Sequence, residues 1–212
     1  AELDAIAALL IEHDAYAVCD EVYEHLVFSG HRHVPLMTLP GMRERCVRIG
    51  SAGKTFSLTG WKIGYVTGPE HLMTPIMKVH QFVTFTTPPA LQTAVAYGLG
   101  KDDDYFAGLA GSLEAKRDLM ARGLKEAGFD VLPADGTYFI SADFRPLGFN
   151  GTDEEFCRDI TVKAKVAAIP ISAFYADPAA APRHLARFCF CKQDAVIQEA
   201  SARLGTYAQR RA

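Results

Sequence analysis

Long hydrophobic runs and an excess of one charge are both lacking in this 212-residue sequence. No apolar run approaches the ~18 residues that span a bilayer, so we expect no membrane-spanning helix and no membrane partner. The formal net charge is −3, and lysine and arginine are scattered rather than striped, so we expect no nucleic-acid partner. With 49% apolar and 22% charged residues, the composition is that of an ordinary globular protein.

Disulfide and metal-binding patterns are lacking as well. The cysteines contain no CxxC pair, and their odd number and apolar surroundings predict free thiols rather than a disulfide framework. They are Cys19, Cys46, Cys157, Cys189 and Cys191. His31 and His33 have no third candidate ligand close by, so we assign them to a surface loop and expect no metal. Free thiols and the lack of a signal-peptide pattern predict a reducing, cytoplasmic setting.

The first hundred residues alternate between helical and strand patterns, which is typical of an α/β layer structure. Helical spacing is expected up to about Glu12, again from Glu21, and then over Glu70–Val83 and Ala90–Leu99. Apolar strands are expected at Tyr16–Cys19, Cys46–Ile49 and Trp61–Thr67. The first of these strands ends at Asp20 and the second at Gly50-Ser51.

The second hundred residues predict a smaller α+β unit. Helices are expected over Tyr105–Gly128, Glu154–Lys165 and Asp194–Leu204. Strands are expected at Phe129–Leu132, Tyr138–Ala142, Ala167–Ile169 and Leu185–Cys191. Gly100 and an acidic run interrupt the pattern near Lys101–Asp104, so we expect two domains, residues 1–104 and 105–212.

Gly53-Lys54-Thr55 follows the second predicted strand and matches the last three positions of a P-loop. The P-loop pattern also requires a glycine five residues before Gly53, where this sequence has Arg48 inside the strand. A long charged side chain at that position cannot form the loop of backbone amides that holds phosphates. We therefore reject a nucleoside-triphosphatase.

A lysine held at the end of a strand can instead form a Schiff base with a carbonyl cofactor. Taken alone, Lys54 could be a solvated loop residue and Asp20 a helix cap. Pyridoxal phosphate, however, needs an acid for its ring nitrogen, a lysine for its aldehyde and cations for its phosphate. Asp20, Lys54, and Ser51 with Lys62 meet those needs near successive strand ends, where open α/β sheets bind ligands.

Six stretches carry a family pattern and occur in family order along nearly the whole chain. They are Asp20–Leu26, Gly50–Ser57, Thr59–Gly64, Gly136–Phe139, Ile169–Tyr175 and Arg187–Lys192. Together they resemble the fold-type I pyridoxal-phosphate enzymes, specifically the class I/II aminotransferases of the kynurenine and methionine aminotransferase type. The resemblance implies an α/β fold: the C-terminal part of a large cofactor-binding domain, followed by a small α+β domain.

The resemblance also implies roles for the residues at the strand ends. Asp20 would pair with the ring nitrogen of pyridoxal 5'-phosphate, and Tyr23 would donate to its phenolate oxygen. Ser51 and Lys62 would bind the phosphate; Lys62 stands where many relatives have arginine, and it binds phosphate as a point charge. Lys54 would carry the cofactor as a Schiff base and act as the general base.

On the substrate side, Arg187 matches the family residue that grips the α-carboxylate, for which a planar bidentate donor is well suited. The implied reaction moves an amino group from an L-amino acid to a 2-oxo acid, in a homodimer. A β-eliminating lyase of the cysteine-conjugate or cystathionine type would use the same residues. A non-catalytic aminotransferase-like module is the alternative outside enzymes.

The matched stretches belong to the C-terminal half of the family pattern. The other half supplies an amide loop for the phosphate, an aromatic ring that stacks on the cofactor and an asparagine near its phenolate oxygen. We therefore expect this chain to be a fragment, with activity belonging to a longer protein.

Overall fold

The computed structural model describes residues 1–211, and the chain divides into two units, Ala1–Ala107 and Gly108–Ala212. The division falls within the long helix α5 (Asp103–Glu126). No helix among the described residues combines the length and apolar character needed to cross a bilayer.

The N-terminal unit contains a three-stranded sheet and four helices. In chain order its elements are α1 (Glu2–Glu12), β1 (Ala17–Asp20), β2 (Cys46–Ser51), α2 (Ala52–Thr55), β3 (Gly64–Thr67), α3 (Glu70–Val83) and α4 (Pro89–Leu99). The strand order is β1-β2-β3, in which β1 is parallel to β2 and β3 is antiparallel to it. Helix α1 contributes Ala7 to a buried cluster with Met42 and Cys46.

The strand register determines which residues share an edge of this sheet. Asp20 is the last residue of β1 and lies opposite Ile49, two residues before the end of β2 at Ser51. Gly64, the first residue of β3, lies opposite Ser51. The carboxyl ends of β1 and β2 and the start of β3 therefore lie at one edge.

Two expectations for this unit are wrong. Helical spacing from Glu21 predicted a helix, but residues 22–25 form a turn, in which Glu24 N–H donates to the Glu21 carbonyl. The third strand was expected from Trp61, but it begins at Gly64. The preceding Thr59–Trp61 is a 3₁₀ turn, and Lys62 has a left-handed φ of 57°, which a strand cannot accommodate.

The C-terminal unit packs helices against an antiparallel sheet of four strands. Its further elements are β4 (Asp130–Val131), β5 (Phe139–Asp143), α6 (Asp153–Lys163), β6 (Ile169–Pro170), β7 (Leu185–Cys189) and α7 (Asp194–Gln209). The strand order is β4-β5-β7-β6. The last strand was expected over Leu185–Cys191, but it ends two residues earlier, at Cys189. The last helix was expected to end at Leu204, but it continues to Gln209.

Aromatic packing and a capped helix hold this unit together. The Phe156 ring of α6 stacks on Phe144 at 4.1 Å between ring centroids, and both side chains are fully buried. Helix α6 begins with a capping box, in which Thr152 accepts from the Glu155 N–H and Glu155 accepts from the Thr152 N–H. These contacts fix the unit that carries Arg187.

Candidate active site

The N-terminal unit brings together, at one sheet edge, the residues that the sequence singled out. We call Asp20, Tyr23, Ser51, Lys54 and Lys62 the strand-end cluster. Asp20 and Ser51 end the parallel strands β1 and β2, and Lys54 lies in α2, directly after β2. The carboxyl ends of parallel strands are the ligand-binding edge of open α/β sheets.

Lys54 and Tyr23 approach each other within this cluster. The Lys54 Nζ lies 5.8 Å from the centroid of the Tyr23 ring, which the turn after β1 presents. Lys54 is half-buried, while Ala52 and Gly53 before it are buried and hold α2 against the unit. The amine is therefore anchored at its base and lies beside a phenol.

Asp20 and Lys62 are the exposed members of the cluster. Asp20 is followed by a turn at residues 22–25 and not by a helix, so it does not cap a helix. Lys62 lies two residues before Gly64, whose register partner is Ser51. A hydroxyl and an ammonium group thus come from adjoining segments of the same edge, which is a donor set suited to phosphate.

An ion-pair network, which the sequence patterns did not reveal, holds the turn that carries Tyr23. Arg48 of β2 donates through Nε to Glu21 at 2.8 Å and also pairs with Glu24. Glu21 further accepts from His33 Nε2 at 3.1 Å. Because Glu21 directly precedes the turn and Glu24 lies within it, their bonds to Arg48 fix the position of the turn relative to β2.

Tyr65 extends this network across the sheet. Its hydroxyl donates to Glu24 at 2.7 Å, and its ring lies over Gly50, where a Cβ would come within 2.1 Å of it. Burial raises the pKa of Tyr65, and the opposing effect of Arg48 is smaller, so the hydroxyl stays protonated as a donor. Residue 50, directly before Ser51, must therefore be glycine for the Tyr65 ring to lie over it.

Burial disfavours the thiolate form of the two cysteines in β1 and β2, Cys19 and Cys46. Burial, the neighbouring Cys46 and the Glu21 carboxylate raise the pKa of Cys19 to about 11. Burial also raises the pKa of Cys46. Since the thiolate is the reactive form, Lys54 has no competing thiolate from these two residues.

Arg187, in the C-terminal unit, is flanked by aromatic rings. Its guanidinium carbon lies 4.0 Å from the Phe139 ring centroid and 4.1 Å from that of Phe174. Its Nε is buried and has no hydrogen-bond partner among the described residues. Within residues 1–211 no carboxylate pairs with it either, so pairing with an internal acid does not account for this arginine. A buried donor without a partner is costly, so the Arg187 Nε–H can gain from an additional acceptor.

Arg48→Met is expected to lower the free energy of unfolding by about 3–5 kcal/mol, because it leaves two largely buried carboxylates without their cation. The side chains of Glu21 and Glu24 are only 10% and 8% exposed. Urea denaturation of the whole protein measures the loss. The matched control is Arg45→Met, whose partner Asp14 is 91% exposed and for which we expect about 1 kcal/mol or less. Equal losses in the two variants would contradict the assigned role of the network.

Comparisons with known proteins identify the family to which the chain belongs. A model of the family Aminotransferase class I and II matches residues 1–204. The structure of N-succinyldiaminopimelate aminotransferase from Mycobacterium tuberculosis is 46% identical, with a TM-score of 0.92 over 97% of this chain and 53% of that one.

Two further curated relatives carry different names within the same family. Kynurenine–oxoglutarate transaminase 3 of Mus musculus is 44% identical over 94% of this chain and 47% of its own length. Methionine aminotransferase of Escherichia coli K12 is 37% identical over 96% of this chain and 52% of its own length. The chain thus spans about half the length of the relatives it matches, and it belongs to the class I and II aminotransferase family.

Proposed function

We propose that the whole protein is a pyridoxal-phosphate-dependent aminotransferase that moves an amino group from an L-amino acid to a 2-oxo acid. The observation that carries the proposal is the position of Lys54, directly after β2 at the ligand-binding edge and 5.8 Å from the Tyr23 ring. A β-eliminating lyase would use the same residues, but the relatives named above are aminotransferases, which favours amino transfer.

The donor set of the strand-end cluster fits pyridoxal phosphate. It offers a primary amine for the aldehyde, a carboxylate for the ring nitrogen, a phenol for the ring oxygen, and a hydroxyl with an ammonium group for the phosphate. The carboxylate is exposed and has no ion-pair or hydrogen-bond partner within the described part of the chain, so it is available to a ligand. When bound, the cofactor withdraws electrons from the substrate Cα.

The residues of the cluster would divide the work as follows. Lys54 Nζ would hold the cofactor at its aldehyde carbon and would take the proton from the substrate Cα as a general base. Asp20 keeps a proton on the ring nitrogen by its negative charge. Tyr23 donates its hydroxyl hydrogen to the ring oxygen, while Ser51 and Lys62 orient the phosphate.

Arg187 would bind the substrate carboxylate. A guanidinium presents paired N–H donors in one plane, which match the two oxygens of a carboxylate. The buried Nε that lacks an acceptor within residues 1–211 supports this assignment. A carboxylate bound there would supply the missing acceptor.

The organisation of the whole protein is part of this proposal. Residues 1–104 would supply the C-terminal part of a large cofactor-binding domain, and residues 105–212 a small domain. A homodimer is supported by the apolar side chains that α3 exposes, including Phe82 at 85% and Val83 at 77% exposure. A cytoplasmic setting is supported by cysteines that are all free thiols.

Reduction and product analysis test the function together. Borohydride treatment of the whole holoprotein is expected to attach the cofactor to the peptide that contains Lys54, as detected by mass spectrometry. With an L-amino acid and a 2-oxo acid, the products are expected to be the matching 2-oxo acid and the aminated acceptor. Labelling of another lysine would overturn the role of Lys54, and release of pyruvate and ammonia instead would favour a lyase.

A further inference from the structure

The aromatic pair around Arg187 comes from two separate segments of the C-terminal unit. Phe139 is the first residue of β5, the strand next to β7, and Phe174 ends the 3₁₀ turn Ile171–Phe174. The two rings each lie about 4 Å from the guanidinium carbon, yet they make no ring contact with each other within the described residues. They therefore lie on different sides of the guanidinium. We call Phe139 and Phe174 the aromatic clamp.

Two other arginines of the same unit, Arg145 and Arg183, are held by carboxylates. Arg145 donates to the Asp143 carboxylate at 2.5 to 3.1 Å, and Arg183 Nε lies 2.9 Å from Asp153. Both carboxylates neutralise the charge of the arginine they pair with, and Asp143 also accepts from the N–H donors of Arg145. The aromatic clamp attracts the Arg187 cation through the ring faces and takes up none of its in-plane donors.

This arrangement limits how a ligand can approach. With rings on different sides of the guanidinium, an anion reaches Arg187 only along its edge, in the plane of its N–H groups. A planar carboxylate fits that approach with two parallel hydrogen bonds, whereas an amine or a neutral amide gains far less. The clamp also removes rotamer freedom from a long side chain before the ligand arrives, which lowers the entropic cost of binding.

We propose that Phe139 and Phe174 are positioning residues that orient the Arg187 guanidinium for edge-on binding, and so determine selectivity for substrates with a free α-carboxylate. This proposal rests on the proposed function and deepens it, because it assigns the selectivity of the Arg187 site to residues that carry no charge. The rings act through Arg187 and do not take part in proton transfer.

The test uses the whole holoprotein and the L-amino acid on which it is most active. Three probes are compared: this amino acid, its decarboxylated amine, and the non-reacting carboxylic acid that lacks the amino group. We expect Phe174→Leu and Phe139→Leu to raise KM for the amino acid and Ki for the acid about 2- to 12-fold, the range expected when a long side chain must be ordered on binding. The KM for the amine and the kcat for the amino acid are expected to change by less than about 2-fold.

Matched variants separate orientation from general packing. Phe174→Tyr keeps the ring and is expected to retain wild-type selectivity. Tyr175→Leu removes the neighbouring aromatic, which makes no ring contact within the described residues, and is expected to leave all three constants unchanged. Phe174 is 56% exposed, so its replacement is compatible with folding even if Phe139→Leu is not. In an Arg187→Lys background, Phe174→Leu is expected to have little further effect, because a lysine has no plane to orient.

The outcomes distinguish a failure of the aromatic-clamp proposal from a failure of the proposed function on which it rests. If the wild-type protein shows no amino transfer, the proposed function fails before any variant is made. If Arg187→Ala weakens the amino acid and the amine equally, the carboxylate-binding role of Arg187 fails and the clamp with it. If Arg187→Ala is selective against the amino acid but neither leucine variant is, the proposal for the clamp alone is overturned.

Discussion

Lys54→Ala is expected to abolish amino transfer, with a loss on the order of 10²–10⁴-fold from the missing general base alone. The structure places this amine at the end of β2, anchored by the buried residues Ala52 and Gly53. No other lysine of the described chain lies in a helix directly after a parallel strand, so none can take over both the attachment of the cofactor and the proton transfer. Turnover of an amino donor and acceptor pair by the whole protein measures the loss.

Three companion variants define what the Lys54 result means. Lys54→Arg keeps the charge but has no free amine, so we expect it to be as inactive as the alanine variant. Small primary amines added to the assay are expected to restore part of the activity to Lys54→Ala and none to Lys54→Arg. Lys125→Ala, on the exposed surface of α5, is expected to leave turnover unchanged. Substantial activity in Lys54→Arg would contradict the assignment.

Local pattern was sufficient to predict most helices and the ends of the first two strands. Helix α3 has the predicted bounds, Glu70–Val83, because helical apolar spacing and the preceding Gly68-Pro69 are contained in neighbouring residues. Asp20 and Ser51 could be placed at strand ends for the same reason. Since β1 and β2 are parallel neighbours, the two residues predicted at separate strand ends lie at the same edge of the sheet.

Contacts between distant residues could not be predicted in this way. The turn after Asp20 has helical spacing, but Glu21 bonds to Arg48, 27 residues away, and residues 22–25 form a turn where a helix was expected. Arg48 itself drew attention only as the residue that excludes a P-loop. Its role depends on two carboxylates that the strand register brings beside it, and no spacing rule within one segment reveals them.

For Arg187 too, the sequence could predict the local pattern but not the contacts with distant residues. The predicted strand Leu185–Cys191 is apolar except for Arg187, and a guanidinium in such a strand needs a partner, which a local pattern can show. The sequence could not identify the rings around it, since Phe139 and Phe174 are 48 and 13 residues away along the chain. The sheet order β5-β7-β6 brings these segments together.

Asp20→Asn is expected to lower kcat about 10- to 1,000-fold while the protein still binds the cofactor through Lys54. A carboxylate within hydrogen-bonding range raises the pKa of a cationic partner by about 1–3 units, and each unit lost reduces the protonated fraction tenfold. Asparagine keeps the size of the side chain but not its charge. The structure leaves the carboxylate exposed at the end of β1 and followed by a turn, so the loss cannot come from an uncapped helix.

The pH dependence of the Asp20→Asn variant identifies the cause of that loss. Without the carboxylate, protons must come from solvent, so the activity of the variant relative to wild type is expected to rise as the pH falls. Asp20→Glu keeps the charge and is expected to retain more activity than Asp20→Asn at every pH. Borohydride fixation at Lys54 in the variant checks that the site is still formed. A loss that is independent of pH, or near-normal turnover at neutral pH, would show that Asp20 does not act by holding a proton on the ring nitrogen.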